Sequence, residues 1–137
     1  MNWPSDETEF ANAARETFID AMISQAEYWA AFGEDLLTNP QPDEPYTRSW
    51  SEVAKKDHSY REVFSTLTLE QRTKVLELLK QCVSGAVFSS LCTIDQFPGG
   101  EAEVWIWDDV CGDGKRKVKI APTETDLHDE YYARQSE

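Results

Sequence analysis

Few side chains in this chain carry the chemistry of a catalyst, and their spacing limits what they can do. There are two histidines, His58 and His128, and three cysteines, Cys82, Cys92 and Cys111. His58 lies in the polar run KKDHSY and reads as a surface residue. His128 precedes Asp129 and Glu130, and with Asp95, Glu101 or Glu103 it supplies the donor types of a carboxylate–imidazole metal site. Consecutive helical residues point about 100° apart, which separates His128 from Asp129 and argues against a shared ion. The cysteines, ten and nineteen residues apart, match neither a disulfide framework nor a C-x-x-C zinc spacing, and read as small buried thiols in a reducing compartment. DDVCGDG gathers Asp108, Asp109 and Asp113 without the ligand spacing of a calcium loop. Gly99-Gly100 precedes a strand pattern rather than a helix, so it reads as a turn and not as a phosphate cradle. Phosphate-loop, dinucleotide, zinc-protease and nucleophile-elbow motifs do not occur. The expectation is a chain with no catalytic residue, no metal ligand and no cofactor. The contrasting possibility is a small metal-assisted hydrolase built on His128 and nearby acids.

Carboxylates are the side chains present in excess. The 137 residues hold 26 Asp plus Glu against 13 Lys plus Arg, a formal net charge of −13. Such a charge repels nucleic acid and anionic membranes and attracts basic partners. Residues 1–47 carry ten acids and one base, 48–92 five acids and seven bases, and 93–137 eleven acids and five bases, so the acidity belongs to the ends. In EFANAARETFIDAMISQAEYWAAFGED the acids Glu9, Glu16, Asp20, Glu27 and Glu34 recur at seven and four, with Arg15 the only base. At 100° per residue they form one stripe opposite an apolar line of Ala11, Ala14, Phe18, Met22, Trp29, Phe32 and Leu36. A solvated face usually mixes Glu with Lys, because opposite charges at i,i+4 stabilise by ~0.2–0.5 kcal/mol. Here Glu16 and Asp20 are like charges at that spacing and no Lys precedes residue 55. Either a basic element of the middle third folds over the stripe, or the stripe is left for a basic partner.

The elements that must position these groups follow from breakers and periodicity. A helix from about Ser5 to Leu37 precedes the Pro-rich loop at 39–47, with Gly33 a place to kink or end. SWSEVAKK suggests a short helix capped by Ser49 or Ser51, and HSYREVFSTL another. TLEQRTKVLELLKQCVSG reads as a helix with a Thr68/Gln71 capping box, an apolar face of Val75, Leu76, Leu79, Cys82 and Val83, and a stop at Gly85. A further helical segment runs to about Cys92. EAEVWIWDD and KRKVKIA alternate as strands about an Asp113-Gly114 turn, and Thr123, with Asp126 three residues on, opens a last helix that groups Leu127, Tyr131 and Arg134. The expected class is α+β in a single domain, 1–137: a long amino-terminal amphipathic helix, further helices, one antiparallel hairpin and a carboxy-terminal helix. No apolar run reaches the ~20 residues that span a bilayer, and MNWPSDETEF is no secretory leader, so a cytoplasmic protein is expected.

The hairpin places Val104, Ile106, Val118 and Ile120 on one face and Glu103, Trp105, Trp107, Lys117 and Lys119 on the other. A helix covering the second face, with Trp29 and Phe32 as its contacts, is the ordinary outcome; left uncovered, the tryptophans are an interface anchor. In size, acidity and missing catalytic motifs the chain resembles bacterial immunity proteins, a compositional likeness that covers no defined motif. What it implies is a non-enzymatic binder of a basic partner protein, such as a toxin, acting as inhibitor or adaptor. Glu9, Glu16, Asp20, Glu27 and Glu34 are the expected recognition residues, with Trp105 and Trp107 as anchors. The alternatives are a nucleic-acid-mimicking inhibitor of a DNA- or RNA-binding enzyme and a homodimer formed through the hairpin.

Overall fold

The computed structural model describes residues 3–38, 59–107 and 114–136. The Pro-rich loop, the SWSEVAKK segment, His58, Cys111 and the acids of DDVCGDG lie outside these residues. In chain order the elements are α1 (Glu7–Thr38), α2 (helical over 59–65), α3 (Leu69–Gln96), β1 (Ala102–Trp107), β2 (Lys115–Ala121) and α4 (Leu127–Gln135). This is the expected α+β chain. It falls into two compact units, one of Met1–Gln25 with Gly85–Glu137 and one of Ala26–Ser84.

In the first unit, α1 begins where Asp6 Oδ1 accepts the backbone N–H groups of Thr8 and Glu9, both at 3.0 Å, so Asp6 caps it. The buried cluster joins Phe10, Ala14 and Ile19 of α1, Leu91 of α3, Val118, Ile120 and Ala121 of β2, and Leu127 and Tyr131 of α4. Ile19 and Phe10 flank the expected apolar line of α1, so the buried face is wider than that line because the helix packs against more than one element. β1 pairs antiparallel with β2, with Glu103 opposite Lys119, Trp105 opposite Lys117 and Trp107 opposite Lys115. The strands alternate as the sequence implies. Val118 and Ile120 are buried and Val104 and Ile106 half-buried, while the other face is exposed. Between α3 and β1, Gly100 N–H bonds the Phe97 carbonyl at 3.0 Å and Gly99 has φ of +67°, which only a glycine adopts freely after Pro98.

In the second unit, Gly33 does not end α1, which runs on to Thr38. A Cβ there would lie 3.1 Å from Leu79 Cδ1, so the glycine gives α3 its close approach. Ala26, Leu36 and Leu37 are buried. Arg61 of α2 is 6% exposed and reaches Asp35 Oδ2 at 2.7 Å. The capping box is present, Thr68 N–H to Gln71 Oε1 at 2.8 Å and Gln71 N–H to Thr68 Oγ1 at 3.2 Å.

Other expectations differ. α3 does not stop at Gly85 but runs on to Gln96, because Ala86–Gln96 supplies another stretch of helical spacing and one exposed glycine costs only about 1 kcal/mol. That continuity joins two apolar stretches into one helix. α3 has the length and mean hydropathy, 1.3 over its most apolar window, to cross a bilayer by length and composition alone, whereas a stop at Gly85 would have left two shorter pieces. Thr123 does not open α4: the helix starts at Leu127, and Thr123 Oγ1 instead donates to the Thr125 carbonyl. Cys82 and Trp29, placed on apolar faces by their spacing, are exposed, Trp29 stacking edge-on against Tyr28 and Phe32.

Candidate functional site

Trp105 and Trp107 occupy alternate positions of β1, so their rings emerge on the same face. They are 66% and 70% exposed, and no helix among the described residues covers them as the sequence led us to expect. The reason lies in the opposite face of the strand, whose Val104 and Ile106 already pack on the core, leaving the tryptophans no side on which to be buried. Lysines of β2 hold the rings in place. Lys115 Nζ stands 4.6 Å from the Trp107 ring centre and Lys117 Nζ 5.8 Å from that of Trp105. Lys117 also pairs with Glu103 at 2.9 Å, and the neighbouring Lys119 with Glu101 at 2.6 Å. The hydrogen bond from Lys119 holds the Glu101 carboxyl below its ordinary range. The face is thus two exposed indoles framed by two ion pairs, with the Lys115 ammonium set against Trp107.

The five stripe acids of α1, Glu9, Glu16, Asp20, Glu27 and Glu34, are all exposed. They are not equally free. In the first unit Asp20 pairs with Arg134, which also reaches Glu130 at 2.9 Å, and Glu130 in turn meets Arg15 Nε at 2.9 Å. Arg15, the lone base of the stretch, is buried, and its other nitrogens donate to the carbonyls of Ile120 and Thr125. It is a structural pin between α1, β2 and α4. In the second unit Glu34 lies 3.8 Å from Lys80 of α3, a loose pair supplied by the middle third. Glu9, Glu16 and Glu27 have no cationic partner among the described residues. Beside Glu16 opens a cleft of about 660 Å³ that Asn12, Arg15, Lys119, Glu124 and Glu130 also line.

His128 lies elsewhere in the first unit. Its Nδ1 is 2.8 Å from Asp95 Oδ2, and the same oxygen accepts the His128 backbone N–H at 3.0 Å. Its Nε2 is 3.6 Å from Asp129 Oδ1, so two side chains that helical spacing separates converge. The cause is Asp95, which holds the ring at the first turn of α4 with its far nitrogen turned to Asp129. The hydrogen bond to Asp95 and the charges of Asp129, Asp95 and Asp126 raise the imidazole's pKa against the opposing effect of burial. Burial first, then the carboxylates of Asp95, Asp129 and Asp126, push the Cys92 thiol up, the opposite of an activated nucleophile. Asp126 was missed as a member of this group. The signal for it was the D-L-H-D run, which sets Asp126 two residues before His128 at the start of the helix.

No known protein family, curated protein or solved structure matches this chain.

Proposed function

We propose that the chain is a non-enzymatic protein-binding module whose hairpin face anchors a basic partner, in the manner of an inhibitor, immunity protein or adaptor. The observation that carries this reading is the pair of exposed tryptophans, Trp105 and Trp107, on one strand face. Two-thirds of a ~200 Å² indole left in water is roughly 130 Å² per ring, so covering each contributes about 3 kcal/mol at ~25 cal/mol/Å² before the costs of association. Glu103 and Glu101 are matched by Lys117 and Lys119, so the acids of the α1 stripe that the first unit offers to a partner are Glu9 and Glu16. These acids steer a basic protein toward the surface and reject an acidic one.

The test compares the intact chain with Trp105→Ala/Trp107→Ala and with Glu9→Gln/Glu16→Gln as immobilised baits in lysate, at rising salt, with retained proteins identified by mass. The expected result is a basic protein lost from the tryptophan variant at all salts, and held by the glutamine variant with a flatter salt dependence. Retention that ignores both sets of substitutions and ionic strength overturns the reading.

A further inference from the structure

The side chains around His128 form an arrangement that partner binding does not use. A carboxylate at neutral pH has no proton to give, so in the 2.8 Å contact with buried Asp95 it is His128 Nδ1 that carries the hydrogen. The same Asp95 oxygen is held by the His128 backbone N–H, and Phe88 packs edge-on against the ring with centroids 5.4 Å apart. The imidazole is therefore fixed in tautomer and orientation, and Nε2 is the nitrogen left to bind something. It points to oxygen. The donor atoms of Asp126, His128 and Asp129 all lie within 4.8 Å of one another. Asp126 sits at the N-cap of α4 yet makes no capping hydrogen bond, so its carboxylate is not committed to the helix end. No lysine or arginine among the described residues pairs with Asp126 or Asp129.

A buried carboxylate that fixes one ring nitrogen, while the other faces further donors, is the way proteins prepare histidine for a metal ion. We propose that His128 Nε2, Asp126 and Asp129 form a binding site for one divalent ion of the zinc class, with Asp95 as the positioning residue. Imidazole and carboxylate together suit zinc and its neighbours better than calcium or magnesium, which prefer oxygen alone. Bonds of about 2.0–2.2 Å bring neighbouring ligand atoms to roughly 3.3 Å in a tetrahedral site. The 3.6 Å between Nε2 and Asp129 Oδ1 is close to that, and rotation of the exposed Asp126 and Asp129 carboxylates closes the rest. Three protein donors leave the remaining position to water.

The test titrates the purified, chelator-treated full chain with Zn²⁺ by calorimetry and with Co²⁺ by visible absorption. One ion per chain is expected. Asp129→Asn, an exposed substitution with no bearing on the core, and His128→Gln are each expected to abolish stoichiometric binding, and Asp95→Asn to weaken it 10- to 100-fold, with thermal melts confirming that every variant is folded. Absence of one-to-one binding overturns the proposal. So does binding that Asp129→Asn and His128→Gln leave intact, or an intense sulfur-to-cobalt charge-transfer band, which places the ion on a cysteine.

Discussion

Replacing Arg15 by methionine tests whether the base at the centre of an acidic helix is a pin of the fold. The side chain is 11% exposed and its partner Glu130 23%, with Nε and Oε2 at 2.9 Å. Methionine keeps the apolar stem and removes every donor. Glu130 then retains only Arg134, and the carbonyls of Ile120 and Thr125 lose the guanidinium that bonds them. Breaking a buried pair by removing one member costs about 3–5 kcal/mol, since the other charge stays desolvated. Glu130 keeps Arg134 and some solvent, so the lower end applies, about 3 kcal/mol, or a fall of about 10 °C in Tm for a chain of this length. Glu130→Gln should cost less, about 1–2 kcal/mol, because Arg15 keeps two carbonyl acceptors. The double variant Arg15→Met/Glu130→Leu should be more stable than Arg15→Met alone, as no unpaired charge remains. Urea unfolding followed by far-UV circular dichroism gives all three values. A loss under 1 kcal/mol in Arg15→Met, or a double variant less stable than Arg15→Met alone, would refute the pinning role.

Three other expectations concern separate parts of the molecule. Trp105→Ala/Trp107→Ala should move stability by no more than about 1 kcal/mol, mostly the lost contacts with Lys115 and Lys117, while weakening a bound partner by at least ~30-fold; equal loss of both would make the rings structural. Gly85→Ala should stabilise by about 0.5–1 kcal/mol in urea unfolding, because the added methyl meets nothing within 4 Å and alanine favours the helix interior; destabilisation would mean that α3 is interrupted there. In the chelator-treated protein the raised pKa of His128 makes its partnership with Asp95 fully stabilising below the unfolded-state value of 6.5 and lost as pH rises through the higher folded value. The urea midpoint should accordingly decline from pH 6 upward, and Asp95→Asn should flatten that decline.

Local signals were the legible part of the chain. The Thr68/Gln71 box, the Phe97–Gly100 turn and the alternation of the two strands all depend on residues a few positions apart, and each stands where its spacing puts it. Gly85 and Thr123 misled for a related reason. A helix end is a competition between a local breaker and the packing of the residues beyond it. Those after Gly85 favour continuing the helix, while those just after Thr123 do not yet form one. Pairing over more than thirty or a hundred positions could not be read. Nothing near Arg15 says that it will meet Glu130, and nothing near Asp95 says that it will hold His128. The convergence of His128 with Asp129 reverses the 100° rule because that rule describes Cα–Cβ directions, whereas a long ring anchored at one nitrogen carries its other nitrogen sideways.

The division of labour on the surface depends on which acids are spent inside the molecule. Asp20 is committed to Arg134, and Glu34 is loosely matched by Lys80. Of the stripe acids in the first unit, Glu9 and Glu16 remain to meet a partner under the proposed function. Each exposed ion pair they form is worth only about 0–1 kcal/mol and is screened within ~8–10 Å at physiological salt. Two such contacts cannot hold a complex against the entropy of association, but they can raise its rate of formation and its selectivity for basic proteins. Affinity must then come from apolar burial. In the first unit the two tryptophans of β1 are the largest exposed aromatic groups, with Tyr132 and Phe97 exposed to a similar degree at 66% and 65%. Exposed acids without tryptophans would bind every basic protein weakly, and tryptophans without acids would bind slowly and without preference. The proposed function therefore requires both sets, and the salt dependence of binding should track the glutamates while its lifetime tracks the indoles.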